Sequence, residues 1–243
     1  MKYSILLTLL AIMTSSWLTA QITTPEPTEV WEPKARVVTP GQGTSAPSDA
    51  IVLFDGGDFT EWQHLDGKKV GWELKDSAAT VVGGTGNIKT KREFGDIQLH
   101  LEFRTPAVVL KEGQLRGNSG VFFQERYEVQ VLDNYGNETY SNGQAGSIYK
   151  QSMPLVNACK KPGEWQTYDI IFTAPRFNAD GIRTAAGHLT VIQNGILVQN
   201  NVEIRGSTEY IGLPKNIAHG KASIMLQDHG DKVSYRNIWL REL

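Results

Sequence analysis

From Ile51 onward, apolar residues recur at every second position in short runs broken by glycine, asparagine and proline. That period fits pleated strands and leaves little room for amphipathic helices. The clearest run is Ile97 to Arg104, in which Ile97, Leu99, Leu101 and Phe103 point one way while Gln98, His100, Glu102 and Arg104 point the other. Tyr168 to Thr173 reads as a further strand. Leu189–Gln193 and Ile196–Val198 flank Asn194-Gly195, which predicts a hairpin closed by a type I′ turn. Late strands are expected over Ala222–Gln227 and Val233–Leu240. Short strands at this spacing, roughly ten to fourteen of them, imply an all-β domain built as a two-sheet antiparallel sandwich. No internal repeat or second linker interrupts it, so residues 50–243 are read as one domain.

The chain before this domain has a different composition. Residues 1–20 combine Lys2, an apolar stretch from Ile5 to Met13 and a small-residue region ending at Ala20. The apolar stretch is too short to span a bilayer, and the pattern is that of a secretory signal peptide. It predicts a secreted or periplasmic protein with no stable membrane insertion once the leader is removed. Residues 21–49 hold Pro25, Pro27, Pro33, Pro40 and Pro47 with no sustained apolar period, which reads as an extended linker. The 24 Lys+Arg against 26 Asp+Glu leave a net charge of -2, which provides no basic footprint for a nucleic acid. The single Cys159 excludes an intramolecular disulfide and a cysteine-built zinc site.

Three stretches carry groups capable of chemistry. In Tyr127-Glu128-Val129-Gln130-Val131-Leu132-Asp133, strand alternation points Glu128 and Gln130 out of the core together. Asp133, an odd number of residues from Glu128, points away unless a bulge or the strand's end re-aims it. Gln227-Asp228-His229 follows a strand whose Ile224 and Leu226 face inward, placing Gln227 on the polar face and the histidine at the strand's end. His229 can move a proton near neutral pH or simply sit exposed in a turn. His100 and Glu102 share a strand face and are candidate ligands for a divalent cation, although no recognised metal-ligand spacing occurs. Tyr127, Tyr135, Tyr149, Trp72 and Trp165 could stack on sugar rings, while Trp62, Trp72, Trp165 and Trp239 are expected chiefly in the core. Phosphate loops, dinucleotide fingerprints, nucleophile elbows and His-Glu-x-x-His motifs are all missing.

Together these segments resemble the 3-keto-disaccharide hydrolase family over about residues 51–243. The resemblance rests on Leu53-Phe54-Asp55-Gly56, Glu102-Phe103-Arg104, Gly117-Asn118-Ser119-Gly120-Val121 and the Tyr127–Asp133 segment. Gly146-Ser147-Ile148-Tyr149, the Lys161–Asp169 segment and Leu226-Gln227-Asp228-His229-Gly230 add to it. It implies a jelly-roll sandwich of the concanavalin A-like lectin and glucanase type. The implied substrate is a glycoside already oxidised at C3, whose ketone acidifies the C2 proton, so that the C1 substituent can be eliminated and water added back. On that basis Glu128 and His229 are the expected acid/base pair, with Arg104 or a bound cation on the enolate oxygen. Asp133 joins them as a catalytic candidate. Glu102, Asn118, Gln130, Tyr149, Gln227 and Asp228 are the expected substrate-binding residues. Compared with the glucanases' Glu-x-Asp-x-x-Glu set, Glu128-x-Gln130-x-x-Asp133 has an amide in the middle and a shorter last side chain. Two other functions fit the same fold, a non-catalytic carbohydrate-binding module and a glycosidase acting directly on unoxidised glycans.

Overall fold

The computed structural model describes residues 22–243, so the expected leader lies outside the described residues. Two units are distinguished. The described part of the first, residues 22–37, has a 3-10 turn at Glu26–Thr28 as its one regular element, and the second spans Val38–Leu243. Strands of the second unit are β1 (Ile51–Phe54), β2 (Trp62–His64), β3 (Glu73–Lys75), β4 (Ala78–Thr80), β5 (Ile88–Thr90), β6 (Ile97–Arg104), β7 (Ser119–Phe123) and β8 (Tyr127–Val131). They continue with β9 (Gln166–Thr173), β10 (Arg176–Phe177), β11 (Arg183–Ala185), β12 (Gly187–Gln193), β13 (Ile196–Ile204), β14 (Met225–Leu226) and β15 (Ser234–Glu242). No helix among the described residues is long and apolar enough to cross a membrane.

An eight-stranded sheet in the order β13-β12-β9-β6-β15-β4-β3, with β1 also on β15, packs against a five-stranded sheet in the order β2-β5-β14-β7-β8. Both are antiparallel throughout, and the protein is an all-β sandwich. The alternation in β6 works as expected, because Ile97, Leu99, Leu101 and Phe103 are fully buried against Val121, Phe123, Val129 and Val131 of the facing sheet. Asn194 and Gly195 both adopt positive φ, as a type I′ turn between β12 and β13 requires. Two buried tyrosines tie the sheets together: Tyr168 donates to the Gln130 carbonyl at 2.7 Å, and Tyr235 donates to Ser119 Oγ at 2.7 Å. Each tyrosine thereby satisfies its hydroxyl inside an apolar core and fixes the strands that carry the candidate site.

The proline-rich stretch behaves in two ways. Residues 38–49 fold onto the outer face of the larger sheet, where Arg241 grips Asp49 through two 2.8 Å bonds and Trp239 Nε1 donates to the Thr44 carbonyl at 3.0 Å. A bulge in β15 gives Asn237 a positive φ and turns its amide toward Thr44 and Glu102. Sequence periodicity has no access to this strap, since backbone carbonyls and bulge geometry hold it rather than apolar side chains.

Candidate active site

The outward face of the five-stranded sheet carries the cleft. On β8, Val129 and Val131 enter the core, and Glu128 and Gln130 therefore point outward on the same face. Two segments roof them. Gly146 N donates to the Gln130 carbonyl, Gln130 N to the Ser147 carbonyl and Tyr149 N to the Glu128 carbonyl, so residues 146–149 run along β8 as an irregular extra strand. Along the same edge of β8, Thr208 Oγ1 accepts from Glu128 N at 3.0 Å. The result is a cleft of about 620 Å³ lined by Asn118, Phe122, Glu128, Gln130, Tyr140, Tyr149, Lys150, Tyr210, Gln227 and His229, among others.

Glu128 is the carboxyl of this cleft. It is only 4% exposed and makes no ion pair among the described residues. Burial penalises its charged form and pushes its pKa up to about 8. Room for the carboxyl comes from the neighbouring strand, where a Cβ on Gly120 would stand 2.6 Å from Glu128 Oε1. The Gln130 amide, turned with its NH2 toward Glu128, donates to Glu128 Oε1 at 3.1 Å and to the Ser119 carbonyl at 2.9 Å. Tyr149 and Tyr140 share a 2.6 Å hydroxyl bond. Burial, then its own bond to Tyr140, raises the Tyr149 pKa and keeps its hydroxyl protonated. Gln227 Oε1 is buried and accepts no hydrogen bond from the described residues. His229 stands exposed at the rim.

Lys150 supplies the cleft's cation. It donates to the Tyr210 carbonyl at 2.6 Å and lies 4.4 Å from the centre of the Tyr210 ring. Sequence reasoning missed it, together with Tyr140, Thr208 and Tyr210. The only available signal was its position directly after the Gly146–Tyr149 motif, because the segments that bring these groups in are irregular.

Four expected site residues lie elsewhere. Arg104 is on the outer face of the larger sheet, its guanidinium 4.7 Å from the centre of the Trp165 ring, where Arg236 also stacks at 4.1 Å. Trp165 is therefore a partly exposed platform for arginines rather than core, unlike the buried Trp62, Trp72 and Trp239. Glu102 accepts from Arg236 at 2.7 Å, from Thr44 at 3.0 Å and from Asn237 at 3.1 Å beneath the strap. Burial raises its pKa, but these bonds and the Arg236 charge outweigh that effect and leave it below the ordinary carboxylate range. Asp133 points away from Glu128, as alternation anticipates. It is buried against Arg116 at 2.8 Å and accepts from Tyr135 N at 3.1 Å, a turn-forming role. Asp228 accepts from Gly84 N, Gly86 N and Gly230 N, so it shapes the loop that presents His229.

The cation-binding idea for His100 and Glu102 also finds another explanation. His100 Nδ1 bonds Asp169 at 2.7 Å and its ring stacks on Trp239 at 5.1 Å. Among the described residues no group of three or more His, Cys, Asp or Glu side chains is arranged to hold a metal ion.

A lectin-like antiparallel sandwich with a tyrosine- and amide-lined cleft around a desolvated carboxyl defines a carbohydrate-active class of protein. The chain belongs to the family described as the 3-keto-alpha-glucoside-1,2-lyase-like domain, which it matches over residues 49–241. A crystal structure of a proposed glycosyl hydrolase from Parabacteroides distasonis ATCC 8503 is 52% identical, with TM-score 0.88 over 90% of this chain and 97% of that one. A second from the same organism, also a proposed glycosyl hydrolase, is 25% identical with TM-score 0.55 over 80% of this chain and 99% of that one. A third is 21% identical with TM-score 0.58 over 80% of this chain and 94% of that one, and speaks to the fold alone. No curated protein matches this chain.

Proposed function

We propose that the protein cleaves the glycosidic bond of 3-keto-glycosides by proton abstraction at C2 and elimination of the C1 substituent, followed by hydration. The observation that carries this reading is the solitary carboxyl: among the residues lining the cleft, Glu128 is the one acid. Direct glycoside hydrolysis generally needs two carboxyl groups flanking the scissile bond. The candidate for the second, Asp133, is engaged with Arg116 outside the cleft. A ketone at C3 removes that need, because one base of raised pKa suffices to take an acidified C2 proton.

In this scheme the ionised Glu128 takes the proton from C2. The electron pair of that C–H bond forms the C2=C3 enolate, whose oxygen is met by the Tyr149 hydroxyl and the Lys150 ammonium. As the ketone re-forms, the pair shifts to C1=C2, the C1–O bond breaks, and His229 gives the departing oxygen a proton. Water adding across C1=C2 returns a 3-keto sugar. Asn118, Gln130 and the unpartnered Gln227 Oε1 suit the sugar hydroxyls. The leader expected over residues 1–20 would carry the enzyme to the periplasm or outside the cell.

Incubating the protein with 3-keto-trehalose and with trehalose tests the reading. Cleavage of the keto sugar alone is expected. Cleavage of both would favour a direct glycosidase, and binding without turnover of either would favour a carbohydrate-binding module.

A further inference from the structure

A second hollow of about 790 Å³ adjoins the cleft, with charged residues on part of its lining and an apolar run on another. One wall is the run Ala107-Val108-Val109-Leu110, four consecutive exposed apolar residues, with Val108 69% and Leu110 85% exposed. Exposed runs of that kind are seldom left without a use on a soluble domain. Leu115, itself 59% exposed, lines both hollows and joins them.

The apolar run is held in a defined place. Its base is fixed where Gly163 N donates to the Thr105 carbonyl, and the Gly163 turn lies directly under Ala107. At the far end Lys111 pairs with Asp231 Oδ1 at 2.9 Å, while Asp231 Oδ2 accepts from Asn118 N at 3.0 Å. A two-bond chain therefore runs from the apolar wall to a residue of the cleft. Of the cations lining the hollow, Lys111 and Arg116 are engaged by Asp231 and Asp133 and Arg104 stacks on Trp165, while Lys75 and Lys232 line it beside the apolar run, whose Val108, Val109 and Leu110 are its apolar recognition element.

Resting on the reading above, we propose that this hollow is the aglycone subsite and that it binds an apolar, aromatic aglycone more tightly than a second sugar. A glycoside with its sugar ring among the amides and tyrosines of the cleft would cross Leu115 and lay its aglycone on Val108, Val109 and Leu110. Sugar hydroxyls placed on that wall would lose hydrogen bonds to water without replacement, whereas an aromatic ring would bury apolar area there.

The experiment is calorimetric binding of two unoxidised probes, 4-nitrophenyl α-D-glucopyranoside and methyl α-D-glucopyranoside, to the full protein and to the V108D/L110D double variant. Both substituted residues are exposed, and thermal melts establish that the variant is folded. The expected result is at least tenfold tighter binding of the nitrophenyl glucoside to the native protein, with the double variant reducing its affinity to that of the methyl glucoside. Equal affinities in the native protein, no measurable binding of the nitrophenyl glucoside, or a preference that survives the double substitution would overturn the proposal. No turnover enters the readout, so a failure of the keto-sugar chemistry and a failure of the aglycone subsite are told apart.

Discussion

The carboxyl of Glu128 lies 3.1 Å from the amide of Gln130, two residues further along the same face of β8. A hydrogen bond donated to the carboxylate favours the ionised form, against a burial that holds the pKa near 8. At pH 7 only about a tenth of the free enzyme then carries the ionised base. The kcat/KM for a 3-keto-glycoside is expected to rise with pH and level off above about 8. Gln130→Leu, which removes the donor, should move that rise to higher pH and lower turnover about tenfold or more at neutral pH. A rate that falls as pH rises through this range would instead make Glu128 the acid.

The same burial sets a cost in stability. Because the folded pKa of Glu128 stands above its unfolded value of 4.5, the native protein's stability from this group is complete below about pH 4.5 and declines as pH rises toward 8. Glu128→Gln is free of that decline. Its melting temperature should exceed that of the native protein by an amount that grows with pH, reaching roughly 5 °C or more at pH 8.5. Turnover should fall at least about a hundredfold.

Gly120 tests whether the position of the carboxyl matters as well as its presence. A methyl group there would stand 2.6 Å from Glu128 Oε1 and 2.8 Å from a Phe122 ring carbon. Gly120→Ala should lower kcat by about tenfold or more, since a displacement near 1 Å at a reacting group is costly. Circular dichroism should show the fold intact.

Glu102 supplies the control. Its bonds to Arg236, Asn237 and Thr44 serve the strap on the far sheet face, so Glu102→Gln should leave turnover within about twofold while lowering stability at pH 7 by about 1–3 kcal/mol. Since its folded pKa is depressed, the native protein's advantage is present above pH 4.5 and should disappear as pH falls through the folded value. Melting curves followed from pH 7 downward check both parts.

Strand periodicity made the sandwich legible, because burial of one face leaves a period of two that β6, β9 and the β12–β13 hairpin all follow. It also identified Glu128 and Gln130 as an outward pair, and it anticipated the divergence of Asp133. It could not tell which outer face holds a cleft. The outward side chains of β6 look as suitable as those of β8, yet one set is covered by the strap at Thr44 and the other by Tyr149 and Thr208. Lys150 and Tyr210 were illegible for a related reason. They arrive on irregular segments, and Lys150 adopts a left-handed backbone that no glycine announces.

The most direct test of the account is the fate of the C2 hydrogen. In 3-keto-trehalose carrying deuterium at C2, elimination transfers the label to the Glu128 carboxyl, which slows cleavage relative to the protiated sugar and lets the label exchange into solvent before C2 is protonated again. A no-enzyme control corrects for spontaneous exchange. A rate lowered by the C2 deuterium and loss of label from the product, read by NMR and abolished along with cleavage in Glu128→Gln, are the predicted results. Cleavage with the label fully retained at C2 and no lowering of the rate by deuterium would mean direct attack at C1 and would contradict the proposed chemistry.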